Sequence, residues 1–288
     1  MAQDDPIHFL EAGLERPDGT LLMPGYDTSE DMLANPHTLL LSGKPGEIEE
    51  IANLSWQTVA TSSPAPERLV FVSEWGNYFD FASFEDHASG VLDDDGEIEY
   101  RSVDNVGGEL YACGGSRTIR RLTDEGWVDE SEDLEPGNLI EAVSGFSGDE
   151  LYGFGWNGEI WWREGGSWRA VESPTERILQ AACIVDGRVF VGGQLGVILE
   201  GRHDAWGVIE NDHKLDIWSV CEFEGVPYFS TIDGILRLHD GKIEKMDTRE
   251  LKSTHKLFVG PSGLWSVGGG TLGLYDGTEW RCVQQLGD

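Results

Sequence analysis

Positive charge is what this sequence has least of. Lysine and arginine number 20 against 53 aspartates and glutamates, a formal charge of −33. That balance opposes binding to nucleic acid or an anionic membrane and favours a cationic partner. Cysteine is also scarce: Cys113, Cys183, Cys221 and Cys282 lie far apart, with no CxxC, each inside a strand-like run. Buried free thiols are expected there, not disulfides or metal ligands. The first residues, MAQDDPIHFLEAGLERPDG, hold no basic segment leading into an apolar one, so no secretory signal is read and a cytoplasmic location is expected. No apolar run approaches the roughly 18–20 residues of a membrane-spanning helix.

Catalytic signatures are missing as well. The seven histidines show no HExxH or HxH spacing, and there is no GxSxG, P-loop or Rossmann glycine fingerprint. The glycines of GGQLG (192–196) and GGGTLG (268–273) read as β turns and precede no helix. The run DDDGE (93–97) lacks the alternating acidic spacing of a calcium loop. No metal and no cofactor is expected.

What the chain does have is a repeat. Leu151–Ser173, LYGFGWNGEIWWREGGSWRAVES, reads as three short strands joined at Asn157-Gly158 and Gly165-Gly166. Asn-Gly between β-rich runs is a strong hairpin signal, because both residues accept the positive φ of a tight turn. The opening phrase recurs at Leu110 (LYACGG), Val189 (VFVGGQ), Pro227 (PYFSTI) and Leu264 (LWSVGG), so the intervals are 41, 38, 38 and 37 residues. A later marker keeps step at Trp127, Trp168, Trp206, Ile243 and Trp280. About 40 residues holding four short strands is the period of a β-propeller blade. The 38 glycines suit so many tight turns.

In each unit, strand a (such as LIEAVSGF) lines the channel, b is the aligned phrase, c follows it, and d carries the marker at the rim. The large d-strand residues are expected to fill the gaps between neighbouring blades. Towards the N-terminus, SWQTVATSS, LVFVSEWGN and Tyr78–Phe81 give strands a to c of an earlier unit, with d placed between Ser89 and Glu99. IHFLEAG, TLLMPG, HTLLLSG and EIEEIA give a first unit. The expectation is one all-β domain over 1–288: a seven-bladed β-propeller with four-stranded antiparallel blades, from Ile7 to Leu286. Six blades with a decorated N-terminus is the alternative. Each end supplies its own strand, so side-chain packing alone should join blade 1 to blade 7.

This repeat resembles the bacterial propeller proteins grouped with WD40-like, kelch-like and photosystem-assembly-factor-like repeats. The resemblance is architectural: the paired GH and WD signature, the kelch glycine pair and the sialidase Asp-box do not recur. No functional residue carries over from it.

Propellers bind on the face made by b–c and d–a loops, and function has to be argued from the residues there. Acids are expected to gather on that face: Asp129, Glu130, Glu132, Asp133 and Glu135 on one d–a loop, with Glu172 and Asp212 on the next two. Trp75 and Trp156, on b–c turns, are the candidate aromatic contacts. Acidic loops around aromatic anchors suit a basic protein partner, since charge speeds encounter and aromatics supply hot spots. The alternative for these residues is a solvated acidic surface with both tryptophans packed. The functional expectation is a non-enzymatic, monomeric immunity or antitoxin protein that occludes the active cleft of a basic toxin domain. A propeller glycoside hydrolase or lyase, with carboxylates at the channel mouth, is one alternative; an assembly or scaffold factor is another.

Overall fold

The computed structural model describes residues 8–285, and its strands form seven sheets around a central channel. The expected limits Ile7 and Leu286 lie outside the described residues. In blade 1, β1 (His8–Leu10) and β2 (Leu14–Glu15) share the inner position against β3 (Leu21–Asp27), followed by β4 (Thr38–Gly43) and β5 (Glu49–Leu54). Blade 2 is β6 (Thr58–Ala65), β7 (Arg68–Ser73), β8 (Asn77–Phe81) and β9 (His87–Val91). Blade 3 is β10 (Tyr100–Val106), β11 (Glu109–Gly114), β12 (Ile119–Thr123) and β13 (Gly126–Asp129). Blade 4 is β14 (Ile140–Ser147), β15 (Glu150–Gly155), β16 (Ile160–Glu164) and β17 (Ser167–Val171). Blade 5 is β18 (Leu179–Val185), β19 (Arg188–Gly193), β20 (Ile198–Arg202) and β21 (Ala205–Val208). Blade 6 is β22 (Ser219–Phe223), β23 (Val226–Thr231), β24 (Gly234–His239) and β25 (Lys242–Lys245). Blade 7 is β26 (Lys256–Gly260), β27 (Gly263–Gly268), β28 (Thr271–Tyr275) and β29 (Trp280–Gln285).

The seven-blade reading holds. One strand was misplaced: the outer strand of blade 2 is His87–Val91, and Asp93–Glu99 is loop. All five residues of that strand are exposed, so no apolar marker locates it in the sequence.

The core is not one cluster but seven seams. Side chains alternate across a strand, so each b strand serves two neighbours: Leu151 packs with Val106, Tyr111 and Ile140 on the blade 3 side. Tyr152 and Phe154 pack with Leu179, Val189 and Val191 on the blade 5 side. The d-strand markers fill the gap to the preceding blade, as expected. Trp168 is 6% exposed among blade 3 residues, Trp206 stands edge-on to Tyr152 and Phe154, and Trp280 closes the seam with blade 6.

The last seam, between blades 1 and 7, closes without a strand exchanged between the ends, as the strand count implied. It is not closed by packing alone. Glu15, 3% exposed, accepts hydrogen bonds from the Ser262 backbone N–H (2.9 Å), the Ser262 hydroxyl (2.5 Å) and the Trp265 indole N–H (2.8 Å). Phe9 and Gly269 add a backbone bridge, and the Gly46 N–H donates to the Gln284 side chain. Beneath them Leu10, Leu21, Met23, Phe258 and Trp265 form the apolar part.

Replacing Glu15 by Ala strands three donors, one of them the indole N–H of the buried Trp265. Urea denaturation is expected to show a loss of about 2–3 kcal/mol, with Glu15→Gln losing less because it keeps an acceptor. An Ala variant as stable as the parent would mean that packing does close the ring.

Candidate partner-binding face

The b–c turns and d–a loops lie on one face, and three of the b–c turns are built alike. Gly115–Arg117, Trp156–Gly158 and Gln194–Gly196 each make a single 3-10 turn whose middle residue is left-handed: Ser116 (φ 53°), Asn157 (φ 57°) and Leu195 (φ 54°). In blades 4 and 5 the glycine that follows lies against the neighbouring d–a loop. A Cβ at Gly158 would run into the Thr175 carbonyl, and one at Gly196 into that of His213. Turn and loop are thereby fixed to each other.

The two candidate tryptophans are exposed, Trp75 by 56% and Trp156 by 46%. The structure links them in a way the sequence did not reveal. The Trp156 indole N–H donates to Glu141 Oε1 (2.7 Å), and Glu141 Oε2 accepts from Arg101 Nε (3.2 Å). Arg101 also pairs with Glu99 (3.1 Å) and with Glu74 (3.8 Å), the neighbour of Trp75. One arginine thus gathers three carboxylates at the channel mouth and spans blades 2 to 4. Glu74, Glu99, Arg101 and Glu141 were missed because they sit on different blades, and only a strand register aligns them.

The acidic d–a loop after β13 is anchored at its base. Leu134 is buried in the seam between blades 3 and 4, and the Ser131 hydroxyl accepts from the Ile119 N–H (2.7 Å). Arg117 donates to the Glu135 carbonyl (2.9 Å) while its guanidinium is held by Glu159 (2.7 and 2.9 Å). From this base Asp129, Glu132, Asp133 and Glu135 project as exposed side chains. Glu130 does not. It is half-buried between Arg121 (2.7 Å) and Arg163 (2.6 Å), and its carbonyl accepts the Trp168 indole N–H. Burial beside two guanidiniums makes it a strut between blades 3 and 4. Glu172 and Asp212 are exposed on the next two d–a loops.

Acidity alone does not mark this face. The opposite a–b and c–d turns carry Asp18, Glu67, Glu85, Asp86, Asp124, Glu125, Asp149, Asp186, Asp204, Glu224, Asp240 and Asp276. Tight turns favour aspartate on either side of a ring, since its carboxylate caps nearby N–H groups, as Asp18 does for Thr20 and Asp276 for Thr278. The expected one-sided clustering of acids is therefore corrected. Large exposed apolar side chains are unevenly placed: of eleven among the described residues, Leu33, Trp75, Trp156, Leu195, Leu215, Trp218 and Ile232 lie on the b–c and d–a face, and Phe84 alone on the turns of the opposite face.

A protein of similar sequence gives this face its context. The chain is 33% identical over 247 residues to the immune protein Tsi7 of Pseudomonas aeruginosa, covering 80% of this chain and 81% of that protein. The chain belongs to the Tsi7 immune-protein family. No family model matches it. Among solved structures it is similar to the WD40 propeller domain of Doa1 (TM-score 0.70, 11% identity, covering 94% and 93% of the two chains). It is also similar to YCF48 from Cyanidioschyzon merolae (TM-score 0.59, 16% identity, 80% and 87%). The extracellular domain of the B. thetaiotaomicron two-component protein BT4673 matches at TM-score 0.70 and 12% identity, covering 93% of this chain and 37% of that one. These likenesses show the propeller fold.

In this Tsi7 relative the channel beneath the face is a cavity of about 730 Å³ lined by the inner strands of all seven blades. Among the described residues no group of three or more His, Cys, Asp or Glu is placed to hold a metal ion. Three carboxyl residues, Glu11, Glu15 and Asp104, line the cavity. Burial pushes Glu11 up to about 7 against the opposing pull of Lys256. Burial likewise pushes Asp104 up to about 7, offset in part by the Asn105 N–H. An acid whose pKa rises on folding holds its proton more tightly in the native chain. Its destabilising effect is absent below the unfolded value near 4 and complete once the pH has risen through about 7. Glu11→Gln and Asp104→Asn are each expected to stabilise the protein at pH 8, by about 1–2 kcal/mol once water in the channel is allowed for. The gain over the parent should shrink as the pH is lowered towards 4, which denaturation midpoints measured at matched pH will show. A gain independent of pH would place the effect in packing instead.

Proposed function

We propose that this chain is a cytoplasmic, monomeric immunity protein that neutralises a basic toxin domain by laying its b–c and d–a face over the toxin's active cleft. The observation that carries the reading is the coincidence, in a member of the Tsi7 family, of three exposed tryptophans, Trp75, Trp156 and Trp218, with a rigidly based acidic loop on the same face. Toxins that act on nucleic acid need a cationic surface, and a chain of charge −33 steers towards such a surface and covers it. Neutralisation then needs no chemistry from the propeller itself.

A hydrolase using paired channel carboxylates is less well supported. General acid and base roles require environments that push two pKa values apart, whereas burial moves Glu11 and Asp104 in the same direction.

The test is binding to the purified product of the adjacent reading frame, with protection of cells expressing that product. Replacing Glu132, Asp133 and Glu135 together by Lys should slow association about tenfold at low salt and much less at high salt, with dissociation little changed. Glu130 is left intact because its loss would unseat Arg121 and Arg163. An association rate that ignores the triple substitution removes this loop from the interface, and absence of any binding by the parent chain defeats the reading.

A further inference from the structure

Blades 5 and 6 carry a feature that stability does not account for. At the left-handed position of the shared b–c turn, blade 3 has Ser116 and blade 4 has Asn157, but blade 5 has Leu195 (φ 54°, ψ 31°). Asn and Gly tolerate that conformation, whereas a leucine there is strained by its own Cβ. Nor does Leu195 recover the strain by burial, since it is 47% exposed. Its N–H is held by Asp216 Oδ1 at 2.8 Å, so the turn is fixed and the side chain is presented outward.

The surrounding residues repeat the theme. Leu215 is 42% exposed and Trp218 36%, on the loop that carries Asp216. The Trp218 backbone N–H bonds the Ser230 carbonyl, and its ring lies against His255 at 5.2 Å, so the indole is held in place. Ile232, on the b–c turn of blade 6, is 50% exposed. Around them stand the exposed acids Glu210, Asp212 and Asp233, the last paired with Lys245 at 3.1 Å, and one exposed base, Lys214. Backbone strain spent on an exposed apolar side chain points to a contact made with another molecule. An apolar centre within a charged, predominantly acidic rim is the anatomy of a charge-steered protein interface.

We infer that Leu195, Leu215, Trp218 and Ile232 form the apolar anchor of the toxin interface, receiving an apolar projection that stands within the toxin's basic surface. This rests on the immunity reading. It adds a division of labour: acids set the rate of encounter, and this patch sets the lifetime of the complex. The matching chemistry of the partner follows from charge complementarity, since a cationic surface without an apolar projection would leave the leucines and the indole uncovered.

The experiment compares the parent chain, Leu195→Asn and Ile232→Ser in binding the purified product of the adjacent reading frame, with thermal denaturation of each. Leu195→Asn should melt at or above the parent temperature, because the strain is relieved, yet dissociate at least tenfold faster with association unchanged. Ile232→Ser should also dissociate faster. If Leu195→Asn lowers the melting temperature, Ile232→Ser decides: faster dissociation supports the anchor and an unchanged rate overturns it. Unchanged dissociation in both variants overturns the anchor while leaving the immunity reading intact. No binding by the parent defeats both. A parent chain that dimerises, as seen by light scattering, and loses its dimer in Leu195→Asn would assign the patch to a second copy and overturn the proposal.

Discussion

A closed ring of sheets stands or falls on its last seam. Each blade has two apolar faces, and six seams form between blades that follow one another along the chain, where covalent connection keeps the faces close. The seventh must bring together residues about 250 positions apart, a closure whose entropy grows only slowly with length but is not offset until the contacts form. Glu15 sits at that point. A carboxylate this buried is tolerable only when its oxygens are satisfied, and here Ser262 and Trp265 supply three donors. The same bonds specify register: a blade 7 displaced by one residue would present the wrong alternation to Leu10 and Leu21 and would leave the carboxylate unpaired.

The repeat was legible because its markers are structural. Trp127, Trp168, Trp206 and Trp280 recur since each d strand must fill a widening gap with a large side chain, and the tight b strands need small and apolar residues at fixed offsets. Where that demand lapses, so does the signal. The outer strand of blade 2, HASGV, is exposed throughout and carries no marker. Blade 1 divides its inner strand into two short pieces, which no periodicity reports. Glu15 looked like one more acid in an acidic chain, because its value lies in partners far away in sequence.

The candidate face was legible to the level of loops and not to the level of side chains. Trp75 and Trp156 were found as aromatics on b–c turns, and both are exposed. Their connection through Glu74, Arg101 and Glu141 depends on three blades meeting at the channel mouth, which strand register alone could bring together. Glu130 shows the converse. Its neighbours Asp129, Glu132 and Asp133 project into solvent, but a short step along the chain puts Glu130 between two arginines. Charge counting treats these acids as equal; burial separates them.

On the proposed immunity reading, the distribution of the two kinds of exposed residue says how the face would work. Acids occur on both faces, so on the proposed reading the long-range field of the molecule would attract a cationic partner without orienting it. Fields from exposed charges fade over about 8–10 Å at physiological salt, and what remains at contact is shape and apolar burial. Exposed apolar side chains concentrate on one face, so orientation is decided at short range, after encounter. Such an order suits a protein that must meet its partner quickly and then hold it. On the inferred role, the strained turn at Leu195 fits the same order: in the free chain it is an uncompensated cost, and burial of the leucine against the partner would offset it, acting on the lifetime of a complex and not on its capture.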